Sequence, residues 1–258
     1  MRWQPLVSSF WFLVSGTRTD DGYKPEPQTT NQKPETESME ERRVAAFGGT
    51  FDPVHNGHIA VVRAIVGNFH LDQLLIIPAN RPPHKTSSAI ADAYHRFTMA
   101  VLASLDEPQV LVSTIELEAP DRPYTFETIE RLQRSLGAGT RLFFVIGADS
   151  FGEINTWREP ERLFSSADFI VVTRPGYDLG SPHLDERIRS TIIDLREREG
   201  ELEIGGRLDE HHIYLTGYVN TGVSSTEIRQ RVLDGESIEC LVPPRVADYI
   251  RKYELYRR

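Results

Sequence analysis

Two histidines three positions apart in a glycine-containing run carry the first chemical signal of this chain: Gly48-Gly49-Thr50-Phe51-Asp52-Pro53-Val54-His55-Asn56-Gly57-His58. Paired glycines let a backbone turn sharply and approach a ligand closely. The helix expected from about His58 offers unpaired N–H groups and the positive end of its dipole at its start. Such a loop is a phosphate cradle, and the spacing of His55 and His58 lets both rings face one anion. Taken alone, H-x-x-H is equally a capping pair or a metal-binding pair. A zinc site here lacks a third ligand and the glutamate base of the usual metalloprotease helix, and the full run favours nucleotide binding.

A second run, Gly222-Val223-Ser224-Ser225-Thr226-Glu227-Ile228-Arg229, falls at another helix start. Ser225 or Thr226 can simply cap a helix ending near Gly235. The same hydroxyls and amides can instead face a ligand, with Arg229 one turn further on to clamp phosphate oxygens. Between the two runs lies Pro78-Ala79-Asn80-Arg81-Pro82-Pro83-His84-Lys85, which by itself reads as an exposed proline turn with a solvated lysine.

The elements that must hold these residues alternate after residue 43. Strands are expected at Val44–Phe47, Leu74–Ile77, Val110–Ser113, Leu142–Ile146, Phe169–Val172 and Ile213–Leu215. A first helix is expected over about His58–Phe69, with Ile59, Val62, Val66 and Phe69 on one face. Leu184–Glu199 reads as a further helix with Ile188, Ile192 and Leu195 on one side, a charged solvated face on the other and no catalytic role. The pattern predicts an α/β fold: a Rossmann-like, open, mainly parallel sheet with helices on both faces, one domain with a small C-terminal helical part. Ligands of such sheets bind beyond the carboxyl ends of the strands, where both histidines fall.

Residues 1–42 are expected to be a disordered N-terminal extension and 43–258 the folded domain. Thr17–Glu41 is polar, with Pro25, Pro27 and Pro34, and has no apolar material for a core. Met39, just before the first strand, is an alternative start. Leu6–Val14 is too short to span a bilayer; Arg2 is the only charge ahead of it, and no A-x-A cleavage site of a signal peptide follows. The 258 residues, 39% hydrophobic and 26% charged, suffice for one sizeable core. A net charge of −9 disfavours nucleic acid held by broad counterion release. The one cysteine, Cys240, excludes an intramolecular disulfide and a cysteine-based zinc cage, and it is expected to be packed. These features point to a cytoplasmic protein with no nucleic-acid or membrane partner; a homo-oligomer is compatible with them.

The run Gly48–His58 resembles the opening motif of the HIGH-motif nucleotidyltransferase superfamily, and most closely that of bacterial nicotinate mononucleotide adenylyltransferases. Gly222–Arg229 resembles that family's I-S-S-T-x-I-R element, with Val223 in place of isoleucine. Pro78–Lys85 is similar to its P-x-x-x-P-P-H-K segment, Pro123–Thr128 to Y-T-x-x-T, Ile146–Ser150 to I-G-x-D-S, and Arg174–Tyr177 to R-P-G-Y. Trp157 falls where the family has a tryptophan, and Arg158 follows it where some relatives have tyrosine. The resemblance covers residue 43 to the end.

It implies transfer of AMP from ATP to nicotinate mononucleotide by direct attack of the mononucleotide phosphate on the α-phosphorus, without a covalent enzyme intermediate. His55, His58, Lys85 and Arg229 would hold the triphosphate, with Mg²⁺ bound to ATP and no metal site of the protein's own. Gly48, Gly49, Thr50, Phe51, Gly57, Gly147, Asp149, Ser224, Ser225 and Thr226 would complete the ATP site, Asp149 taking ribose hydroxyls. Thr125 and the backbone after Trp157, with Arg158, would hold the nicotinate carboxylate while the indole stacks on the pyridine ring. Three alternatives fit less of the chain: a nicotinamide mononucleotide adenylyltransferase, a phosphopantetheine adenylyltransferase, which usually has threonine at the position of His55, and a nucleotide-binding module without turnover.

Overall fold

A computed structural model of the chain describes residues 41–80, 90–119, 123–173, 184–197, 204, 207–217 and 222–257. The chain divides between Ser38 and Met39 into two units, and the described residues belong to the second. Its strands are β1 (Arg42–Gly49), β2 (Gln73–Pro78), β3 (Val110–Val112), β4 (Thr140–Gly147), β5 (Asp168–Val172), β6 (Ile192–Asp194) and β7 (Ile213–Thr216). All pair in parallel in the order β3-β2-β1-β4-β5-β7-β6.

The central strands are near-continuous apolar runs because both faces of the sheet are covered. On β4, Phe143 and Val145 enter one core, while Leu142, Phe144 and Ile146 enter the other. The first core is closed by α1 (Asn56–Asn68), α2 (Ala93–Ser104) and α8 (Pro244–Lys252), through residues such as Ile59, Val62, Met99 and Val246. The second is closed by α3 (Thr125–Leu136), α4 (Ala148–Gly152) and α5 (Pro160–Phe164), through Phe126, Ile129, Phe151 and Leu163. Each such side chain removed from water contributes about 1.5–3 kcal/mol. The open Rossmann-like sheet with helices on both faces is therefore the observed one. All six expected strands are present.

The segment expected as a helix over Leu184–Glu199 folds differently. Among its described residues only α6 (Glu186–Arg189) is helical, and Ile192–Asp194 forms the edge strand β6, in register Ile192↔Ile213 and Ile193↔Tyr214 with β7. Ile192 packs against one core and Ile193 against the other. The four-residue spacing of Ile188 and Ile192 mimics a helical face. The β-branched run Thr191-Ile192-Ile193 beside the open edge of β7 decides for strand. Cys240 also departs from expectation, since it is exposed.

Strand order reverses between β1 and β4, so their carboxyl ends flank the crevice where open α/β sheets bind ligands. α7 (Ser225–Leu233), which carries the second motif, completes the elements around it. Among the described residues no helix is long and apolar enough to cross a membrane.

Candidate active site

The loop from β1 to α1 begins at Gly48 and Gly49. A Cβ on Gly49 would lie 2.9 Å from the Phe51 ring, and one on Gly48 would lie 3.1 Å from Phe144. Phe51 is buried and adopts φ 50°, the left-handed region that a bulky residue occupies at a cost of about 1–2 kcal/mol. Its ring meets Phe47 edge-on at 5.3 Å and His58 at 5.0 Å. Gly49 thus makes room for a strained aromatic that backs the second histidine, and Gly48 makes room for Phe144 of β4. Gly147 differs, because nothing lies within 4 Å of a Cβ placed there and the residue is exposed at the end of β4.

His55 and His58 come together as the spacing predicts, with stacked rings at 3.7 Å between centroids. His58 Nδ1 accepts the His55 backbone N–H at 3.2 Å, so the neutral ring carries its proton on Nε2. Burial, reinforced by neighbouring His55, holds the His58 pKa well below the ordinary histidine value. The ring is therefore a neutral hydrogen-bond donor at neutral pH.

The second motif packs against the first. Ser224 caps α7 by accepting the Glu227 N–H at 3.1 Å, where Ser225 or Thr226 had been the expected caps. Ser225 is thereby free for another task, and its Oγ donates to the Pro53 carbonyl at 3.0 Å. Arg229 Nη1 donates to the Asp52 carbonyl at 2.7 Å, and Nη2 donates to Thr226 Oγ1 at 3.3 Å. Gly235 ends the helix at φ 74°. Gly57 is buried in α1, and Asn56 ties the start of that helix to the C-terminal part through the carbonyls of Leu241 and Cys240.

Three residues that hold this site were given no role in the sequence reading. Arg96 of α2 is almost wholly buried and donates to the carbonyls of Thr50, Ala79, Asn80 and Ala91, binding the loops after β1 and β2 together. Burial lowers its pKa, with nearby Asp52 opposing the shift. Its signal was available, because Arg96 shares the i, i+3, i+4, i+7 face of Met99, Ala100 and Ala103. Asp52 is fully buried and Tyr256 donates its hydroxyl to Asp52 Oδ1 at 2.7 Å. Their partnership spans most of the chain and has no local signature.

A second cluster forms around Thr125 and Trp157. Thr125 is the first residue of α3, behind the N-cap Tyr124, whose N–H bonds the Glu127 carboxylate at 2.7 Å. Trp157 follows the 3-10 turn Ile154–Thr156, donates its own N–H to the Ile154 carbonyl, and is partly buried against the second core. Arg158 is exposed and lies over the Tyr124 ring at 5.9 Å, which brings the Thr125 and Trp157 segments side by side. Glu159 then takes φ 51° ahead of Pro160. Asp149 sits exposed in the first turn of α4. Lys85 and Arg174–Tyr177 lie outside the described residues.

Chemically, the first cluster offers N–H donors, a neutral imidazole donor and guanidinium charge to an anion at the switch point. Among the described residues no group of three or more His, Cys, Asp and Glu side chains is placed to hold a metal ion.

Residues 46–231 match the Cytidylyltransferase-like family. A probable nicotinate-nucleotide adenylyltransferase of Thermoanaerobacter sp. strain X514 is 36% identical over 218 residues, covering 84% of this chain and 96% of the relative. One from Thermus thermophilus is 36% identical over 215 residues, covering 83% and 100%. Among solved structures, the Plasmodium falciparum nicotinic acid mononucleotide adenylyltransferase complexed with NaAD superposes with a TM-score of 0.60 at 20% identity, over 83% of this chain and 97% of that one. That likeness is one of fold.

Proposed function

Because this chain belongs to the Cytidylyltransferase-like family and, within it, to the nicotinate-nucleotide adenylyltransferases, we propose that it transfers AMP from ATP to nicotinate mononucleotide, forming nicotinate adenine dinucleotide and pyrophosphate. The observation that carries the reading is the junction of the two motifs, where Ser225 and Arg229 bond the Pro53 and Asp52 carbonyls of the histidine loop. Residues about 170 positions apart in sequence thereby meet at the crevice, which supports one phosphate-binding surface there.

Nucleotidyl transfer asks a protein mainly for positioning and charge stabilisation. The loop amides, His55, His58 through Nε2–H, Lys85 and the Arg229 guanidinium would hold the triphosphate. His58 then stabilises charge by donating a hydrogen bond, and it has no proton to release as an acid at neutral pH. Mg²⁺, which lowers the cost of charge on the phosphates, would be held chiefly by phosphate oxygens and water. The donors and cations that line the loop pair with phosphate oxygens and do not ligate a cation, so the ion would arrive with the nucleotide. Thr125, Trp157 and Arg158 would hold the mononucleotide, and Asp149 the ribose.

The test is kcat/KM for nicotinate against nicotinamide mononucleotide at saturating ATP and Mg²⁺. Donors aimed at a carboxylate are left facing an NH₂ group in the amide, so a clear preference for nicotinate is expected. Trp157→Ala should raise the mononucleotide KM by about tenfold. Equal use of both substrates would remove the nicotinate assignment and leave adenylyl transfer standing.

A further inference from the structure

A buried carboxylate beside a phosphate-binding arginine is a hazard for the site, since the two would neutralise each other. Asp52 is wholly buried, and its Oδ2 has no hydrogen-bond partner among the described residues and lies 3.7 Å from Arg229 Nη1. That separation makes an ion pair, but it is short of a direct hydrogen bond. Arg229 Nη1 instead donates to the Asp52 main-chain oxygen. What holds the carboxylate back is its other oxygen. Oδ1 accepts the Ala91 N–H at 3.1 Å and the Tyr256 hydroxyl at 2.7 Å.

Tyr256 reaches this position at a cost. Beyond α8 the chain passes through the left-handed region twice, at Glu254 (φ 51°) and Tyr256 (φ 66°), while the Leu255 N–H bonds the Ile250 carbonyl. Strain of that kind, about 1 kcal/mol or more per residue, persists only where surrounding contacts over-determine it. Burial, and after it the charge of Asp52, push the tyrosine pKa upward, so the hydroxyl stays protonated and can only donate to the carboxylate. Arg96 is no substitute, because its donors are committed to carbonyls.

We infer that Tyr256 is a positioning residue of the transfer site: its hydroxyl holds the Asp52 carboxylate off Arg229 and so keeps that guanidinium available to the ATP phosphates. Without the hydroxyl, Oδ1 keeps one donor and the carboxylate turns to the nearest cation. Closing the gap to Arg229 by about 1 Å completes a charge-assisted pair. The inference rests on the adenylyl-transfer reading.

The experiment compares wild type, Tyr256→Phe, Asp52→Asn and the double variant. Each is titrated calorimetrically with the Mg²⁺ complex of α,β-methylene ATP and assayed for kcat/KM with respect to ATP. Tyr256→Phe is expected to weaken analogue binding and lower kcat/KM for ATP by about tenfold or more, the scale of one hydrogen bond to a charged group. KM for the mononucleotide should hardly move. In the Asp52→Asn background the amide no longer attracts the guanidinium, so Tyr256→Phe should cost no further ATP affinity even where it lowers Tm. A merely structural tyrosine would cost the same in both backgrounds. Wild-type analogue affinity in Tyr256→Phe, equal losses in the two backgrounds, or loss of the fold at room temperature would each overturn the inference. A wild-type protein that binds the analogue but does not adenylylate nicotinate mononucleotide would remove the functional reading instead, and the binding comparison would still be readable.

Discussion

The two ends of the sheet satisfy their buried arginines in opposite ways. At the N-terminal edge, Arg141 of β4 meets Asp168 of β5, Nε to Oδ2 at 2.9 Å, and a further donor goes to the Glu210 carbonyl. Asp168 also accepts the His212 N–H at 2.8 Å. Burial is the largest influence and works against the Arg141 charge, yet the hydrogen bond and charge of Asp168, with Tyr214 and Glu41 behind them, together outweigh it and raise the pKa. At the C-terminal edge, Arg96 and Arg229 are met mainly by main-chain carbonyls, with the single carboxylate of Asp52 near both. Carbonyls satisfy donors without cancelling charge. One edge is neutralised and serves the fold, whereas the other, on the proposed function, keeps positive charge for the ATP phosphates.

That contrast breaks most severely at Arg141. Arg141→Met strands the buried Asp168 carboxylate and is expected to cost about 3–5 kcal/mol, read from the urea midpoint, with kcat of the folded fraction unchanged. Unaltered stability would show that the pair does not hold the lower edge. The reverse signature is expected at His58. His58→Ala should lower kcat by about 10²- to 10³-fold, the cost of one transition-state donor, with Tm close to wild type. A near-normal kcat would return His58 to a packing role.

A smaller effect sharpens the comparison through pH. The folded pKa of His58 lies below its unfolded value of about 6.5. Below that pH the unfolded chain binds more protons, so the stability contributed by the neutral ring is complete above it and is lost as pH falls toward the folded pKa. The urea midpoint of wild type should drop between about pH 7 and pH 5 by more than that of His58→Gln. Parallel curves would mean that the ring is not held neutral. The smallest effect concerns the N-terminal extension. A chain beginning at Met39 should refold and turn over like the full chain, since the family match begins at residue 46 and the described elements begin at Arg42. Loss of soluble, active enzyme would assign residues 1–38 a part in the fold.

Much of the site was legible because its chemistry is local. The glycine pair, the H-x-x-H spacing and the serine-rich helix start each lie within one turn or loop, and their residue types follow from the conformations those places require. Arg96 was legible in principle from its place on an apolar helix face. The β6 strand was misread because a four-residue spacing of two isoleucines suits a helix as well as a strand whose partner is remote.

The sequence by itself determined the parallel α/β architecture, the two motifs and the order in which they occur, since alternation of apolar runs and turn residues is set by short-range sterics and burial. Tertiary structure alone decided which nitrogen of His58 carries the proton, that Ser224 caps while Ser225 reaches Pro53, and that Tyr256 closes on Asp52 204 positions away. Hydrogen bonds and desolvation act through space, and no pattern along the chain records which distant groups will share one buried oxygen.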